Sequence, residues 1–204
     1  MIAVLDYGVC NIGSLCNMLK KIGQQAIVVR DREGILGADK LVLPGVGAFD
    51  AAMSRLLDMD LASAIREAAL EKRIPILGIC LGMQLLTRES EEGRLPGLGL
   101  IDAKTVRFRS TISSPSLRIP HMGWNRVHER KRHPLLTGLD GARFYFVHSY
   151  RVECANQEDV LASTDYGEPF TSAFAKDNIL GVQFHPEKSH RFGMQLLRNF
   201  GGLR

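Results

Sequence analysis

Two short segments of this 204-residue chain carry residues whose type and spacing point to bond-breaking chemistry. The first is Gly78-Ile79-Cys80-Leu81-Gly82, entered from the apolar run that starts at Ile76 and followed by a helical start. A small-x-nucleophile-x-small pattern between a strand and a helix is a nucleophile elbow. Its glycines let backbones approach closely at the sharp turn, and its cysteine sits strained at the head of a helix. Free N–H groups and the helix dipole favour the thiolate there, the form that attacks. The Leu81 amide is placed to hold a developing oxyanion. The second segment is Gly181-Val182-Gln183-Phe184-His185-Pro186-Glu187. Residues two apart in an extended chain point to the same side. His185 and Glu187 are therefore expected to project together, with Pro186 stiffening the link.

A nucleophilic cysteine needs a base, and the base needs an orienter. Cys80, His185 and Glu187 supply the three roles, and their chain order is acceptable because triads are defined by geometry. Pro44-Gly45-Val46-Gly47 follows an apolar strand and so falls at the carboxyl edge of a sheet, where such sites form. Its glycines allow a peptide to rotate and turn an N–H toward the oxyanion, with Leu81 as the second donor. His148 ends a strand and is a candidate pocket residue. His121, His128, His133 and His190 show no metal-ligand spacing. There is no H-E-x-x-H, C-x-x-C, Walker A or G-x-G-x-x-G pattern, so neither a metal nor a nucleotide cofactor is expected.

The elements that must position these residues alternate in the first half. Ile2–Leu5, Ala26–Val29, Leu41–Leu43 (closed by Pro44-Gly45) and Ile76–Ile79 read as strands. Ile12, Leu15, Leu19 and Ile22 recur at helical spacing, as do Leu61, Ala64, Ile65 and Ala68. Continuous apolar strands separated by helices imply a parallel sheet covered on both faces. After Gly93 the texture shifts to aromatic and β-branched stretches at Thr105–Phe108, Phe144–Val147, Phe170–Phe174 and Ile179–Phe184, which suit antiparallel strands. A last helix carries Phe192, Leu196, Leu197 and Phe200 on one face. The expected fold is α/β: a central, mostly parallel sheet flanked by helices, with antiparallel strands added by the second half.

Length suggests one domain over residues 1–204, at a prior of roughly 150 residues per domain. Apolar residues are 45% and charged residues 24%, the balance of an ordinary globular chain. The net charge is only +4. The densest basic stretch, Arg126 to His133, has no interleaved aromatics and reads as a solvated loop, so no nucleic-acid partner is expected. The longest apolar run, around Ile76 to Met83, is broken by glycines and falls short of the roughly 18 residues of a membrane span. The N-terminus reads as a first strand and not as a signal peptide. Cys10, Cys16, Cys80 and Cys154 are then expected as reduced thiols in the cytoplasm.

These residues resemble the class I (triad) glutamine amidotransferases, and among them the glutaminase subunits that serve imidazole glycerol phosphate synthase. The resemblance rests on Asp6-Tyr7-Gly8, Leu43 to Phe49, Gly78 to Leu86, Pro120 to Asn125, Tyr145 to Tyr150 and Gly181 to Ser189. It implies a flavodoxin-like amidotransferase fold with Cys80 as nucleophile, His185 as base and Glu187 as orienter. It implies glutamine-binding roles for Gly47, Gln84, Glu92, His148 and Ser149. Asn11, Trp124, Tyr145 and Lys188 match positions that face a synthase subunit. That partner is a (β/α)8-barrel cyclase (HisF-like) in a heterodimer, which receives ammonia and makes imidazole glycerol phosphate and AICAR in histidine biosynthesis. The glutaminase fold uses up the chain, so the acceptor site is expected on the partner.

The pattern departs from the family in two places. Cys10 stands where glycine is usual. Lys188-Ser189-His190-Arg191-Phe192-Gly193-Met194 resembles paralogues that supply ammonia for amidino-sugar synthesis in surface polysaccharide. A non-catalytic regulatory protein on the same fold is a third expectation, opposed by the complete triad.

Overall fold

Every residue of Ile2–Leu5 is buried, although the strand has two faces. Such a strand must be covered from both sides. In a computed structural model that describes residues 1–109 and 117–203, two helical layers provide that cover. The chain runs β1 (Ile2–Leu5), α1 (Ile12–Lys21), β2 (Ala26–Val29), α2 (Arg32–Leu36), β3 (Lys40–Gly45), α3 (Phe49–Asp58), α4 (Leu61–Leu70), β4 (Ile76–Cys80) and α5 (Leu81–Leu85). It continues with β5 (Glu89–Ser90), β6 (Ala103–Arg107), β7 (His121–Arg126), β8 (His128–Glu129), β9 (Arg143–His148), β10 (Tyr150–Cys154), β11 (Val160–Tyr166), β12 (Glu168–Lys176), β13 (Ile179–Val182) and α6 (His190–Gly202).

The main sheet has the order β2-β1-β3-β4-β13-β12-β10-β6-β5, with β11 on β12 and β8 on β11. From β2 to β13 all neighbours are parallel. From β13 through β12 and β10 to β6 they are antiparallel. β7 and β9 form a separate antiparallel ribbon. Alternation along β1 divides the core: Ala3 and Leu5 pack with α2 to α5, while Ile2 and Val4 pack with α1 and α6. Among the described residues no helix is long and apolar enough to cross a membrane.

The expected mostly parallel sheet with added antiparallel strands is present, and three details differ. First, Pro44 and Gly45 belong to β3 and do not close it, paired with Ile79 and Cys80 of β4. Pro44 lacks an N–H, but its carbonyl accepts from the buried Tyr7 hydroxyl at 2.8 Å. Second, the basic stretch 126–133 is not wholly a solvated loop. Val127 is buried, β8 pairs with β11, and Arg130 Nε donates to Ser163 Oγ at 2.7 Å. Third, the last strand stops at Val182, and Gln183–Phe184 bend out of it. The helix α3, which the sequence reading did not place, has no side-chain cap of its own. Its first N–H, on Phe49, is instead bonded to Glu92 Oε2 at 3.0 Å, from a residue far along the chain.

The elbow depends on two close approaches. A Cβ on Gly82 would stand 1.8 Å from the Leu43 carbonyl oxygen, and one on Gly78 would stand 2.7 Å from the Gly82 oxygen. Both obstacles are backbone and cannot swing aside. We predict that Gly82→Ala destabilises the chain by at least the roughly 1–3 kcal/mol typical of overpacking, read from the urea midpoint. An unchanged midpoint would show that β3 and α5 can separate freely.

Candidate active site

The parallel strands deliver their carboxyl ends to one crevice: β3 ends at Gly45, β4 at Cys80, and the chain beyond β13 reaches His185. Cys80 has φ +54° and ψ −111°, a left-handed conformation that a residue with a Cβ rarely adopts. The strain is held in place by the packing at Gly78 and Gly82. It turns Sγ out of the sheet into a cavity of about 320 Å³. The helix behind it has only five residues, so its dipole is a small influence.

His185 is buried, and its backbone is held on both sides. Its N–H donates to Tyr145 O at 2.9 Å, and its carbonyl accepts from Ser189 Oγ at 2.6 Å. The His185 Nδ1 to Glu187 Oε1 distance is 2.7 Å. The two meet through a 3-10 turn at Pro186–Lys188 and not along an extended strand, because Pro186 with its fixed φ opens that turn. Burial pulls the imidazole toward neutrality, but the nearby Cys80 sulfur and the hydrogen-bonded Glu187 carboxylate outweigh it and push the pKa up to about 10. His185 is therefore an imidazolium at neutral pH. Among the described residues its Nε2 has no hydrogen-bond partner, nor has Glu187 Oε2.

Gly47, Val46, Leu81, Gln84, Glu92, His148 and Ser149 join Cys80 and His185 around the cavity. Gly45 and Glu187 lie behind it in a narrow cleft shared with Asn11. Burial raises the Glu92 carboxyl, the Phe49 N–H opposes this, and nearby Asp50 adds to it. Gly47 has φ +103°. The Val46 N–H donates to Val9 O at 2.9 Å, so it is not directed at Cys80. Cys10, beside that carbonyl, lies outside the left-handed region, and its backbone needs no glycine. A larger cavity of about 550 Å³ holds Cys154, but burial pushes that thiol up to about 12, which makes it a poor nucleophile.

Trp124, Tyr145 and Lys188 cluster outside the cavity. Trp124, 40% exposed, meets the Tyr145 ring edge-on at 6.1 Å and stacks on His190 at 5.5 Å. Lys188 Nζ lies 5.7 Å from the Tyr145 ring centre. Among the described residues no three His, Cys, Asp or Glu side chains are grouped to hold a metal ion.

Sequence reasoning passed over Gln183 and His121. Gln183 is fully buried and donates from Nε2 to Cys80 Sγ at 3.8 Å. Its position two before His185 was the available signal, since alternate residues of an extended run face one side. His121 Nδ1 lies 2.9 Å from His148 Nε2, and His148 Nδ1 lies 2.7 Å from Tyr150 O. A carbonyl only accepts, so His148 carries its proton on Nδ1 and takes one at Nε2 from His121. Desolvation accounts for the low pKa values of both rings, about 4 for His121 and about 3 for His148. The Tyr150 bond works against this at His148, and the His121 and His185 charges reinforce it.

A model of the family described as "Glutamine amidotransferase class-I" matches residues 3–201. The chain belongs to that family. It is 53% identical over 201 residues to the "Imidazole glycerol phosphate synthase subunit HisH 2" of Methanococcus maripaludis, covering 98% of each. It is 51% identical over the same span and shares to the protein of that name from Pseudomonas aeruginosa. A solved glutamine amidotransferase structure superposes with a TM-score of 0.75 at 21% identity, covering 99% of both chains, and shows the fold. The amidotransferase fold thus frames a buried pair of neutral histidines beside a charged one.

The neutral pair sets a pH limit. In the unfolded chain these histidines protonate near 6.5, whereas in the fold they resist down to about 4 and about 3. Unfolding then takes up protons, so stability falls as pH drops below 6.5 and levels off below the folded values. Each histidine contributes up to about 1.4 kcal/mol per pH unit in that window. We predict a declining urea midpoint between pH 7 and 5 that flattens in His121→Gln. An equal slope in both proteins would contradict the assignment.

Proposed function

We propose that this amidotransferase is the glutaminase subunit of imidazole glycerol phosphate synthase in histidine biosynthesis. It would hydrolyse glutamine to glutamate and ammonia as one domain over residues 1–204. The carrying observation is the convergence of Cys80, His185, Gln84 and Glu92 on one cavity, with Glu187 bonded behind His185. The full-length relatives bearing that subunit's name support the pathway.

In this reading the Cys80 thiolate attacks the amide carbon of glutamine. The Leu81 N–H meets the oxyanion. The His185 imidazolium protonates the departing ammonia, then as a neutral base activates water to cleave the thioester. Glu187 orients the imidazole and stabilises its charge. The Glu92 carboxylate suits the substrate's ammonium group, which would offset the burial that raises its pKa. Ser149 and His148 form the wall opposite.

The second oxyanion donor is the Val46 N–H, and its bond to Val9 O must break before the peptide can turn. Such a donor is worth roughly 3 kcal/mol, about a hundredfold or more in rate. A partner bound against Asn11, Trp124, Tyr145 and Lys188 is the proposed trigger. Its fold would be a (β/α)8 barrel, in a heterodimer with this chain. Four free thiols fit a cytoplasmic setting.

The second reading keeps the chemistry and changes the acceptor to an amidino-sugar precursor. It is favoured by His190, which lies in the paralogue-like stretch and stacks on Trp124 at the proposed partner face. Restoration of growth without histidine in a cell lacking its own glutaminase subunit supports the first reading. Failure beside an active glutaminase supports the second.

We predict that Cys80→Ala lowers glutamine turnover by more than about a thousandfold and leaves partner binding and ammonium-supported synthesis intact. Turnover within tenfold of the parent would remove Cys80 from the mechanism. We also predict that the isolated chain is slow and accelerates by about a hundredfold or more with partner and acceptor bound. Equal turnover in all states would rule out the Val46 gate.

A further inference from the structure

We infer that Gln183 is a catalytic residue of this site, an N–H donor that stabilises the Cys80 thiolate alongside His185. The inference rests on the glutaminase reading for its kinetic consequence, but its geometry stands independently. Gln84 Nε2 lies 3.1 Å from Tyr150 O and 3.1 Å from Gln183 Oε1. A backbone carbonyl can only accept, so the Gln84 NH2 group must point at Tyr150. Its other hydrogen then requires the oxygen, not the nitrogen, of Gln183. The remaining end of Gln183, its NH2, is left facing Cys80 Sγ at 3.8 Å. The donor at the sulfur is thus fixed by a chain of two amides rooted in a carbonyl that cannot reverse its polarity. The Gln183 backbone is held as well, with its N–H on Ser172 O at 2.9 Å.

The sulfur has one further contact that matters. Its own S–H donates to Val147 O at 3.9 Å. In the thiolate–imidazolium pair that proton is gone, and the carbonyl faces an anion and turns from partner to opponent. Gln183 is then the side-chain amide that still offers hydrogen to sulfur, and charge on the acceptor strengthens such a bond. The long resting distance is typical of a catalytic hydrogen bond that tightens as charge develops. Gln183 is fully buried, so water does not replace the lost donor without rearrangement.

Two variants test this. Gln183→Met keeps the length and removes the amide. Gln183→Glu still accepts from Gln84 but presents oxygen to the sulfur in place of N–H. The first readout is the pH profile of Cys80 alkylation by iodoacetamide, followed by mass spectrometry of the Cys80 peptide on the folded full chain. The second is glutamine kinetics with the partner bound. We expect both variants to move the alkylation midpoint upward, Glu further than Met. We expect kcat to fall about tenfold or more, in line with loss of a hydrogen bond to a charged group, with KM within about threefold. A midpoint unchanged in either folded variant overturns the inference, even if turnover falls, because a packing role alone would explain that. A shifted midpoint in a chain that hydrolyses no glutamine, variant or parent, upholds the thiolate donor and overturns the glutaminase reading instead.

Discussion

Backbone against backbone at Gly82 and Leu43 is the constraint on which the rest of the site depends. With no Cβ between them, the start of α5 lies against β3 and the chain must turn within one residue after β4. Cys80 takes that turn at φ +54°. The turn lifts Sγ above the carboxyl ends of β3 and β4. It also brings the Leu81 amide beside Sγ and sets Gln84, one helical turn on, against Tyr150 and Gln183. If the turn relaxed, the thiol would fall back into the sheet and each of these contacts would lose its geometry.

Charge in the cavity is separated by surroundings rather than by residue type. His185 and His148 are both buried histidines lining one cavity. His185 has Glu187 at 2.7 Å and Cys80 close by, and these overcome desolvation. His148 faces a carbonyl and a second imidazole, and desolvation wins. One ring is therefore a proton donor at neutral pH and the other a fixed dipole. The same contrast distinguishes Cys80, with amide and imidazole neighbours, from Cys154, which burial leaves protonated.

The loop beside Cys80 is held in place, but by a bond directed away from the cavity. Tyr7 holds Pro44 from below at 2.8 Å, and Val9 holds the Val46 N–H at 2.9 Å. Val46 is nevertheless 43% exposed and followed by a glycine at φ +103°. The Gly45–Val46 peptide is thus bonded away from the cavity by one hydrogen bond, with a glycine on one side of it. The proposed partner-gated glutaminase requires such an arrangement.

The elbow, the His185-Pro186-Glu187 segment and the β1, α1, α4 and α6 elements were legible in the sequence. Each is written within a few consecutive residues: small residues flanking a nucleophile, apolar positions at helical spacing, a proline between two polar side chains. The parallel character of the first half was legible too, because β1, β3 and β4, buried on both faces, need continuous apolar runs; the edge strand β2 was expected to be covered likewise, but its Ile27 and Val28 are exposed. The amide relay from Gln84 through Gln183 to Cys80 was not. Gln84 and Gln183 are separated by 99 residues, and Gln183 and Cys80 by 103. They meet because β13 inserts beside β4, a placement that no local pattern encodes. The Glu92 cap of α3, the Val46 bond to Val9 and the His121–His148 pair have the same origin. Sequence therefore determined which atoms could react. The fold decided which hydrogen bonds those atoms make, because sheet order and close backbone packing set the distances across which hydrogen bonds act.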